Sequence, residues 1–334
     1  THLKYYIEEG GGYNDITPIR FTTAAGDVTF AATDGSSTLT VTDNNHDAVA
    51  NDFVTFSGAV TLGGNITADV LNQEYQIVTI ATGNSYTIVA KDTSGTTVTA
   101  NASDTGNGGS SVVGAYQINV GLDTSVAGSG WGAGTWGRST WGSTASLTAV
   151  TDILRLWSHD NFGEDLLINV RDGGIYYWDK STSSAPFLRA VALSDRAGAD
   201  STTPTIAKGV LVSDRDRHVI VFGCDPQNNI GVQDPMLIRF SDQEDPTVWQ
   251  STATNTAGDL RLGSGSEIIT ATETRQQVLV FTDTAVYAMQ FLGPPFTFGV
   301  NLISENITIM APNATKAVDD LVFWMGIEDF YIYN

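Results

Sequence analysis

A recurring strand–turn–strand phrase constrains the fold of this chain more than any other feature of its sequence. In its clearest copy, residues 166–178, an apolar run meets the tight turn Asp172-Gly173-Gly174, and a second apolar, aromatic run follows. Glycine supplies the positive φ that a short turn needs, so the phrase predicts a β-hairpin. Three further copies lie at residues 278–287, at 321–331 and, with a longer loop, at 218–222 and 236–240.

The spacing of these copies predicts a repeat architecture. Tyr176, Tyr287 and Tyr331 are 111 and 44 residues apart, and the copy at 218–240 divides the longer interval. Repeats of about 40–50 residues with several strands each are typical of β-propellers. The sequence therefore predicts an all-β chain whose residues 126–334 form β-propeller blades, built on about four hairpin units. We expect further blades beyond Asn334, or completion of the last unit by a neighbouring chain.

Residues 22–125 have a different texture, and they predict a separate domain inserted into the propeller body, whose first strand or strands lie in residues 1–21. Five segments alternate polar residues with apolar or β-branched ones, at 37–42, 52–56, 75–80, 85–89 and 115–120. A period of two is typical of strands with one buried face and one solvated face. The insert is therefore predicted to be a small β-sandwich or barrel of about six or seven strands.

The net charge of the chain limits the classes of function that it can have. The chain has 37 acidic and 16 basic residues, for a formal net charge of −21. Proteins that grip nucleic acid need Lys and Arg to displace counterions from phosphates, so this balance argues against such a surface. A requirement for solubility explains an acidic surface as well as any functional role does. No apolar run approaches the roughly 18–20 residues of a membrane-spanning helix, and the single cysteine, Cys224, is expected to be a small buried side chain.

The motifs that suggest chemistry are incomplete. The three glycines at 10–12 have neither dinucleotide-binding nor Walker spacing, and residues 43–47 lack the pattern of a calcium loop. His159 beside Asp160 has the composition of an acid/base pair, but no nucleophile elbow or metal-ligand spacing accompanies it, so we expect a histidine in a turn. The sequence predicts no catalytic, cofactor-binding or metal-binding residues, no cofactor, and a protein that is not an enzyme.

Three Trp-Gly pairs at a strict five-residue spacing lie between the predicted insert and the hairpin repeats. They begin at Trp131, Trp136 and Trp141. One interpretation is a platform on which sugars or bases stack. The interpretation we favour is that the indoles anchor the chain where it re-enters the propeller. A flexible linker is less attractive, because three indoles in water would form an exposed apolar surface.

Several phrases resemble those of a known family, the tail nozzle (tail-hub, DNA-stabilisation) proteins of short-tailed bacteriophages. These phrases are EGGGYNDITPIR at 9–20, the Trp-Gly run, RFSDQEDPTVW at 239–249, TNTAGDLRL at 254–262, GSGSEII at 263–269 and the hairpin at 282–287. The resemblance covers residues 1–20 and about 126–334, but not the insert. It implies a β-propeller body, a ring of six copies below portal and adaptor proteins with tail fibre or tip proteins beside it, and a location in the virion tail.

The same resemblance implies a central channel that retains and then passes genomic DNA without specific binding. An acidic lining suits a conduit of that kind, since carboxylates repel phosphates over a Debye length of about 8 Å at physiological salt. Two alternatives remain open. The Trp-Gly run and the Tyr-rich hairpins are compatible with a carbohydrate- or receptor-binding propeller of a tail fibre, and a propeller hydrolase would require carboxylates that converge in a pocket.

Overall fold

The computed structural model describes residues 4–119, 156–181, 188–293 and 296–334. The chain divides into two compact units, Thr1–Arg155 and Leu156–Asn334. Nearly all regular elements of the described residues are β-strands, which confirms the all-β class. Among these residues no helix is long and apolar enough to span a membrane.

The described part of the first unit consists of short strands and a single helical turn. In chain order these are β1 (Tyr6–Glu9), β2 (Gly12–Asp15), β3 (Ile19–Thr22), β4 (Thr29–Ala32), β5 (Thr38–Thr42), β6 (Phe53–Ser57), α1 (Ala68–Leu71), β7 (Glu74–Gln76), β8 (Thr79–Thr82), β9 (Ser85–Val89), β10 (Asp104–Asn107) and β11 (Val113–Gln117). Strands β1 and β2 form a hairpin, and the others form a five-stranded sheet β10-β4-β5-β9-β8 and a four-stranded sheet β3-β11-β6-β7.

The two larger sheets of this unit share one core and so form a β-sandwich. In β5 the buried residues are Leu39 and Val41, which alternate with exposed threonines and lie opposite Ile88 and Tyr86 of β9. These side chains pack with residues of the other sheet such as Phe56. Alternation along each strand places every second side chain in the core.

One predicted strand of the insert proves to be two. Residues 75–80 were expected to form a single strand, but the chain changes sheets within them. Ile77 donates its backbone N–H to Asp52 beside β6, whereas the next residue, Val78, donates to Thr87 in β9. The domain boundaries at residues 22 and 125 stay predictions, although β3 pairs with β11 and so Ile19–Thr22 is already part of the sandwich.

The described part of the second unit contains β12 (Trp157–Phe162), β13 (Asp165–Val170), β14 (Ile175–Trp178), β15 (Val191–Ala192), a 3-10 turn (Leu193–Asp195), β16 (Gly209–Val212), β17 (Val219–Phe222), β18 (Leu237–Phe240), β19 (Gly258–Arg261), β20 (Ile268–Glu273), β21 (Val278–Thr282), β22 (Ala285–Gly293), β23 (Thr297–Glu305), β24 (Thr315–Val318), β25 (Leu321–Met325) and β26 (Phe330–Tyr333). They form four consecutive antiparallel sheets, here called sheets 1 to 4: β12–β15, β16–β19, β20–β23 and the three-stranded β24–β26. The repeated hairpins of the sequence are the second and third strands of these sheets.

The four sheets are stacked through alternate side chains of their strands. In β17 of sheet 2, Val219 and Val221 pack with side chains of sheet 1, whereas Ile220 and Phe222 pack with side chains of sheet 3. Because both faces of a middle sheet are buried, its strands are continuous apolar runs. This succession of sheets is compatible with propeller blades, and closure of a propeller stays a prediction.

Candidate functional site

The first strands of sheets 1, 2, 3 and 4 are neighbours in space, as the innermost strands of propeller blades are. Side chains rather than a backbone ladder join the first two. The hydroxyl of Ser158 accepts a hydrogen bond from the backbone N–H of Val210 (3.1 Å), and the carboxylate of Asp160 accepts one from Val212 (2.8 Å). The backbone N–H groups on the open edge of a strand must be paired or exposed to water. Side chains of β12 pair two of these groups on the open edge of β16.

Carboxylates from three consecutive sheets gather where these first strands end. Asp160 lies on β12 of sheet 1, Asp214 and Asp216 follow β16 of sheet 2, and Glu273 ends β20 of sheet 3. Glu273 accepts a hydrogen bond from the backbone N–H of Asp214 (3.2 Å). We call these four residues the acidic end of the first strands.

The carboxylates of the acidic end disfavour one another's charge. Burial, and then the charges of Asp214, Asp160 and Asp216, raise the pKa of Glu273 to about 7 against the opposing hydrogen bond from Asp214. Burial also raises the pKa of Asp160, assisted by Asp214 and opposed by hydrogen bonds from Val212 and Asn161. Exposed arginines lie at its margin and are each paired with a carboxylate: Arg215 lies 3.9 Å from Asp216, Arg217 lies 3.4 Å from Glu244, and Arg275 pairs with Asp319. The site is thus electronegative and retains a proton near neutral pH.

The opposite end of the same strands carries cations that are already paired. Lys208 lies 3.0 Å from Asp172 and 2.7 Å from Glu267, and Arg171 donates to the carbonyl of Ile269 (2.8 Å). Burial alone would raise the pKa of Asp172, but the hydrogen bond and the charge of Lys208 lower it overall. A cleft of about 90 Å³ opens here beside Lys208, and these ion pairs join sheets 1, 2 and 3.

Two candidate groups from the sequence have structural roles. His159 was expected in a turn and lies instead in strand β12, where it is exposed, and Asp160 projects to the opposite face because side chains alternate along a strand. Asp43, from the segment that was compared with a calcium loop, is buried and accepts a hydrogen bond from the hydroxyl of Tyr116 (2.6 Å). Within residues 4–119, 156–181, 188–293 and 296–334, no cluster of His, Cys, Asp or Glu is arranged to hold a metal ion.

Other sequence expectations concern single residues and segments. Cys224 is fully buried, as predicted. Of the glycines at 10–12, Gly10 and Gly11 form the two-residue turn of the β1–β2 hairpin with φ of +61° and +83°, and Gly12 is the first residue of β2. Trp131, Trp136 and Trp141 lie outside the described residues, so both interpretations of the Trp-Gly run stay predictions.

The acidic end was missed by the sequence analysis, although a signal for it exists. Asp160, Asp214 and Glu273 each stand five residues before the first residue of the second strand in their sheets, which begin at 165, 219 and 278. The offset from the hairpin is constant, although the register differs: Asp160 lies opposite Leu167, Glu273 lies opposite Val278, and Asp214 follows the end of β16. In sheet 4 the equivalent position is occupied by Lys316.

Comparison with known proteins adds little. No family model matches the chain. No curated protein matches it either. Among solved structures it is similar to the phage phi92 endosialidase, with 9% identity and a TM-score of 0.28 over 91% of this chain and 46% of that one. It is also similar to the extracellular domain of the putative one component system BT4673 from B. thetaiotaomicron, with 14% identity and a TM-score of 0.25.

The second similarity covers 52% of this chain and 26% of that one. The chain thus spans about half the length of the endosialidase and a quarter of the second protein. At these TM-scores the similarities carry no argument about function.

Proposed function

We propose that the chain is a structural component of a bacteriophage tail, several copies of which form a ring around an acidic channel that retains and then passes genomic DNA. The observation that carries this proposal is the acidic end. In three consecutive sheets a carboxylate stands five residues before the second strand, and these carboxylates gather at one end of the first strands; in this proposal that end faces the channel of the ring. The family phrases in the sequence support the same function.

The physical reason is electrostatic. Double-stranded DNA carries one negative charge per about 1.7 Å of helix axis, so a lining with free Lys or Arg would hold it. The acidic end presents carboxylates instead, and the cations nearest the other end, Lys208 and Arg171, are engaged with neighbouring groups. A passage of this composition repels the phosphates along its length and so allows DNA to slide.

Electron microscopy of the purified protein and of the virion tests the ring directly. We expect rings with a central opening, and a ring of the same size in the tail. Monomers under all conditions, together with no corresponding density in the tail, would overturn the proposal.

Charge reversal tests the channel. The triple variant Asp160→Lys, Asp214→Lys, Glu273→Lys is expected to convert an assembly that ignores DNA into one that binds it, with affinity that falls steeply with salt. The matched control reverses the same number of exposed charges away from the acidic end, at Asp34, Asp69 and Asp195. Equal DNA binding by the two variants would remove the special role of the acidic end. Neutral Asn and Gln versions of the triple variant separate lost folding from gained binding.

A further inference from the structure

The side chain of Lys4 is buried between two carboxylates at the base of the β1–β2 hairpin, and only 5% of it is exposed. Its Nζ atom lies 3.1 Å from Oδ2 of Asp15, the last residue of β2. The same atom pairs with Oε1 of Glu74, the first residue of β7 in the sandwich. Phe53 of β6 covers the amine, with its ring centre 4.1 Å from Nζ. A primary amine is thus held away from solvent in contact with two carboxyl groups.

The hairpin ladder fixes the position of Lys4 beside Asp15. Tyr6 lies opposite Asp15 in the ladder, and Lys4 stands two residues before Tyr6, which places its side chain on the same face. Just before the strand, the backbone N–H of Tyr5 donates to the hydroxyl of Thr17 (2.9 Å) and so continues the pairing. The backbone of the hairpin therefore brings the amine and the carboxyl group together.

The carboxyl group of Asp15 is held in the way that an acyl acceptor requires. Its Oδ1 atom accepts a hydrogen bond from the backbone N–H of Thr17 (2.9 Å), while Oδ2 faces the amine of Lys4. A backbone N–H on one oxygen stabilises the negative charge that develops there when a nucleophile attacks the carbon. The other oxygen, beside the amine, is the one that can leave.

Glu74 is placed to carry protons. Its Oε1 atom contacts the amine, and its Oε2 atom accepts a hydrogen bond from Nε2 of the fully buried Gln117. Oε1 of Gln117 is buried and has no hydrogen-bond partner among the described residues, although buried polar atoms are nearly always paired. Rotation of this amide would offer its oxygen to Glu74 when Glu74 is protonated. The network thus contains an acceptor that its ionised state does not use.

We propose that the side chains of Lys4 and Asp15 condense to an intramolecular isopeptide bond, with Glu74 as the proton carrier. The Nζ–Cγ bond forms, the Cγ–Oδ2 bond breaks, and Oδ2 leaves as water. Both protons of that water come from the Lys4 ammonium group by way of Glu74, whose carboxylate ends as it began. The step consumes no oxidant, reductant or cofactor.

Position and burial favour this condensation. Contact between the amine and the acyl group replaces a bimolecular encounter in water with a unimolecular step, and exclusion of solvent disfavours the reverse hydrolysis. The bond closes the base of the hairpin and restricts the unfolded chain as a disulfide does, in a sequence whose single cysteine allows no internal disulfide. This inference does not depend on the proposed function.

The mass of the full chain tests the bond. After denaturation, the chain is expected to be lighter than its sequence by one water, about 18 Da. Cleavage after Glu9 is expected to leave two fragments attached through Lys4 and Asp15, which distinguishes the bond from dehydration of an aspartate alone. An unchanged mass, together with tryptic cleavage after Lys4, would overturn the proposal. A branch at Glu74 would overturn the assignment of Asp15 as the acyl group.

Lys208 serves as the internal control, because it also contacts two carboxylates, those of Asp172 (3.0 Å) and Glu267 (2.7 Å). These two side chains are 49% and 42% exposed, against 18% and 29% for the two that contact Lys4. Lys208 is therefore expected in unlinked peptides of the same digest. A comparable bond at Lys208 would show that contact alone is sufficient, and would overturn the role assigned to the buried site.

Two variants test the roles within the site. Lys4→Arg keeps a positive charge between the carboxylates but removes the amine, so its mass is expected to match its sequence. Glu74→Gln is expected to form the bond about a hundredfold more slowly or worse, because proton transfer by a positioned side chain contributes at least that factor. The rate is measured as the linked fraction over time in freshly synthesised protein, with circular dichroism as the check on folding. Formation at the parent rate in Glu74→Gln would overturn the role of Glu74, and the mass of the parent decides the bond whether or not a variant folds.

Discussion

Replacement of Glu273 by Gln is expected to stabilise the second unit at alkaline pH and to have little effect at acidic pH. The pKa of Glu273 rises from 4.5 to about 7, because burial and then the charges of Asp214, Asp160 and Asp216 disfavour its carboxylate. A raised pKa means that the folded chain retains a proton that the unfolded chain has lost. The stabilising contribution is therefore complete below pH 4.5 and disappears as pH rises to about 7. The substituted amide carries no charge at any pH and keeps an oxygen that accepts the hydrogen bond from Asp214.

The size of the effect follows from the shift. One pKa unit corresponds to about 1.4 kcal/mol, so the full shift sets a ceiling of about 3.4 kcal/mol. Glu273 is only half-buried, and solvent screening reduces the expected gain to about 1–2 kcal/mol at pH 8. In a unit of this length that gain raises Tm by roughly 2–8 °C.

The assay is thermal and urea unfolding of parent and variant at pH 4.5, 6 and 8. The control is Glu328→Gln, which removes a carboxylate from an exposed turn and is expected to change stability by less than about 0.5 kcal/mol at each pH. A Glu273→Gln variant that is destabilised at pH 8, or whose gain is the same at pH 4.5 and pH 8, would contradict the electrostatic origin of the effect.

Three further substitutions test packing and buried hydrogen bonds, each by urea unfolding. Phe281→Ala should cost about 3–4 kcal/mol, since Phe281 is buried between sheets 3 and 4, and Phe296→Ala, at an exposed site, should cost less than about 0.5 kcal/mol; equal costs would contradict the stacking of the sheets. Tyr116→Phe should cost about 1–3 kcal/mol because it removes the donor to the buried carboxylate of Asp43, and an unchanged midpoint would show that water replaces the hydroxyl. Arg239→Met should cost roughly 3 kcal/mol or more, because the buried guanidinium donates to the backbone carbonyls of Asp225, Thr202 and Trp249, of which Trp249 retains Gln227 as a second donor; a neutral result would show that the surrounding loops have other supports.

The sequence predicted the all-β class and the repeated hairpins because those hairpins carry the strongest local signals. In sheets 2 and 3, β17 and β21 are apolar runs, and β13 of sheet 1 is apolar apart from Asp165 and Asn169; their neighbours follow through turns or loops that contain Gly or Asp. Apart from β16, the first and fourth strands of these sheets lack such an apolar run. Strand β12, for example, is mostly polar, since side chains such as Ser158 and Asp160 bond to the neighbouring sheet instead of filling a core.

The acidic end escaped prediction for a related reason. Its carboxylates are 54 and 59 residues apart along the chain at Asp160, Asp214 and Glu273, and only the stacking of three sheets brings them together. Local periodicity reports the faces of one strand and contains no information on which strands of different sheets are neighbours. The constant offset from each hairpin becomes meaningful once the hairpins are known to be equivalent strands.

The strands with two buried faces have a consequence for folding. In β21, a slip by one residue would exchange Val278 and Val280 for Leu279 and Phe281, and Thr282 is the one polar side chain of the strand that would change face. Correct alignment therefore depends on the turn, where the hydroxyl of Thr282 accepts the backbone N–H of Ala285 (2.9 Å). Hairpins in the wrong register would be apolar and compact, and their register would be slow to correct. The short polar turns therefore set the strand register in this fold.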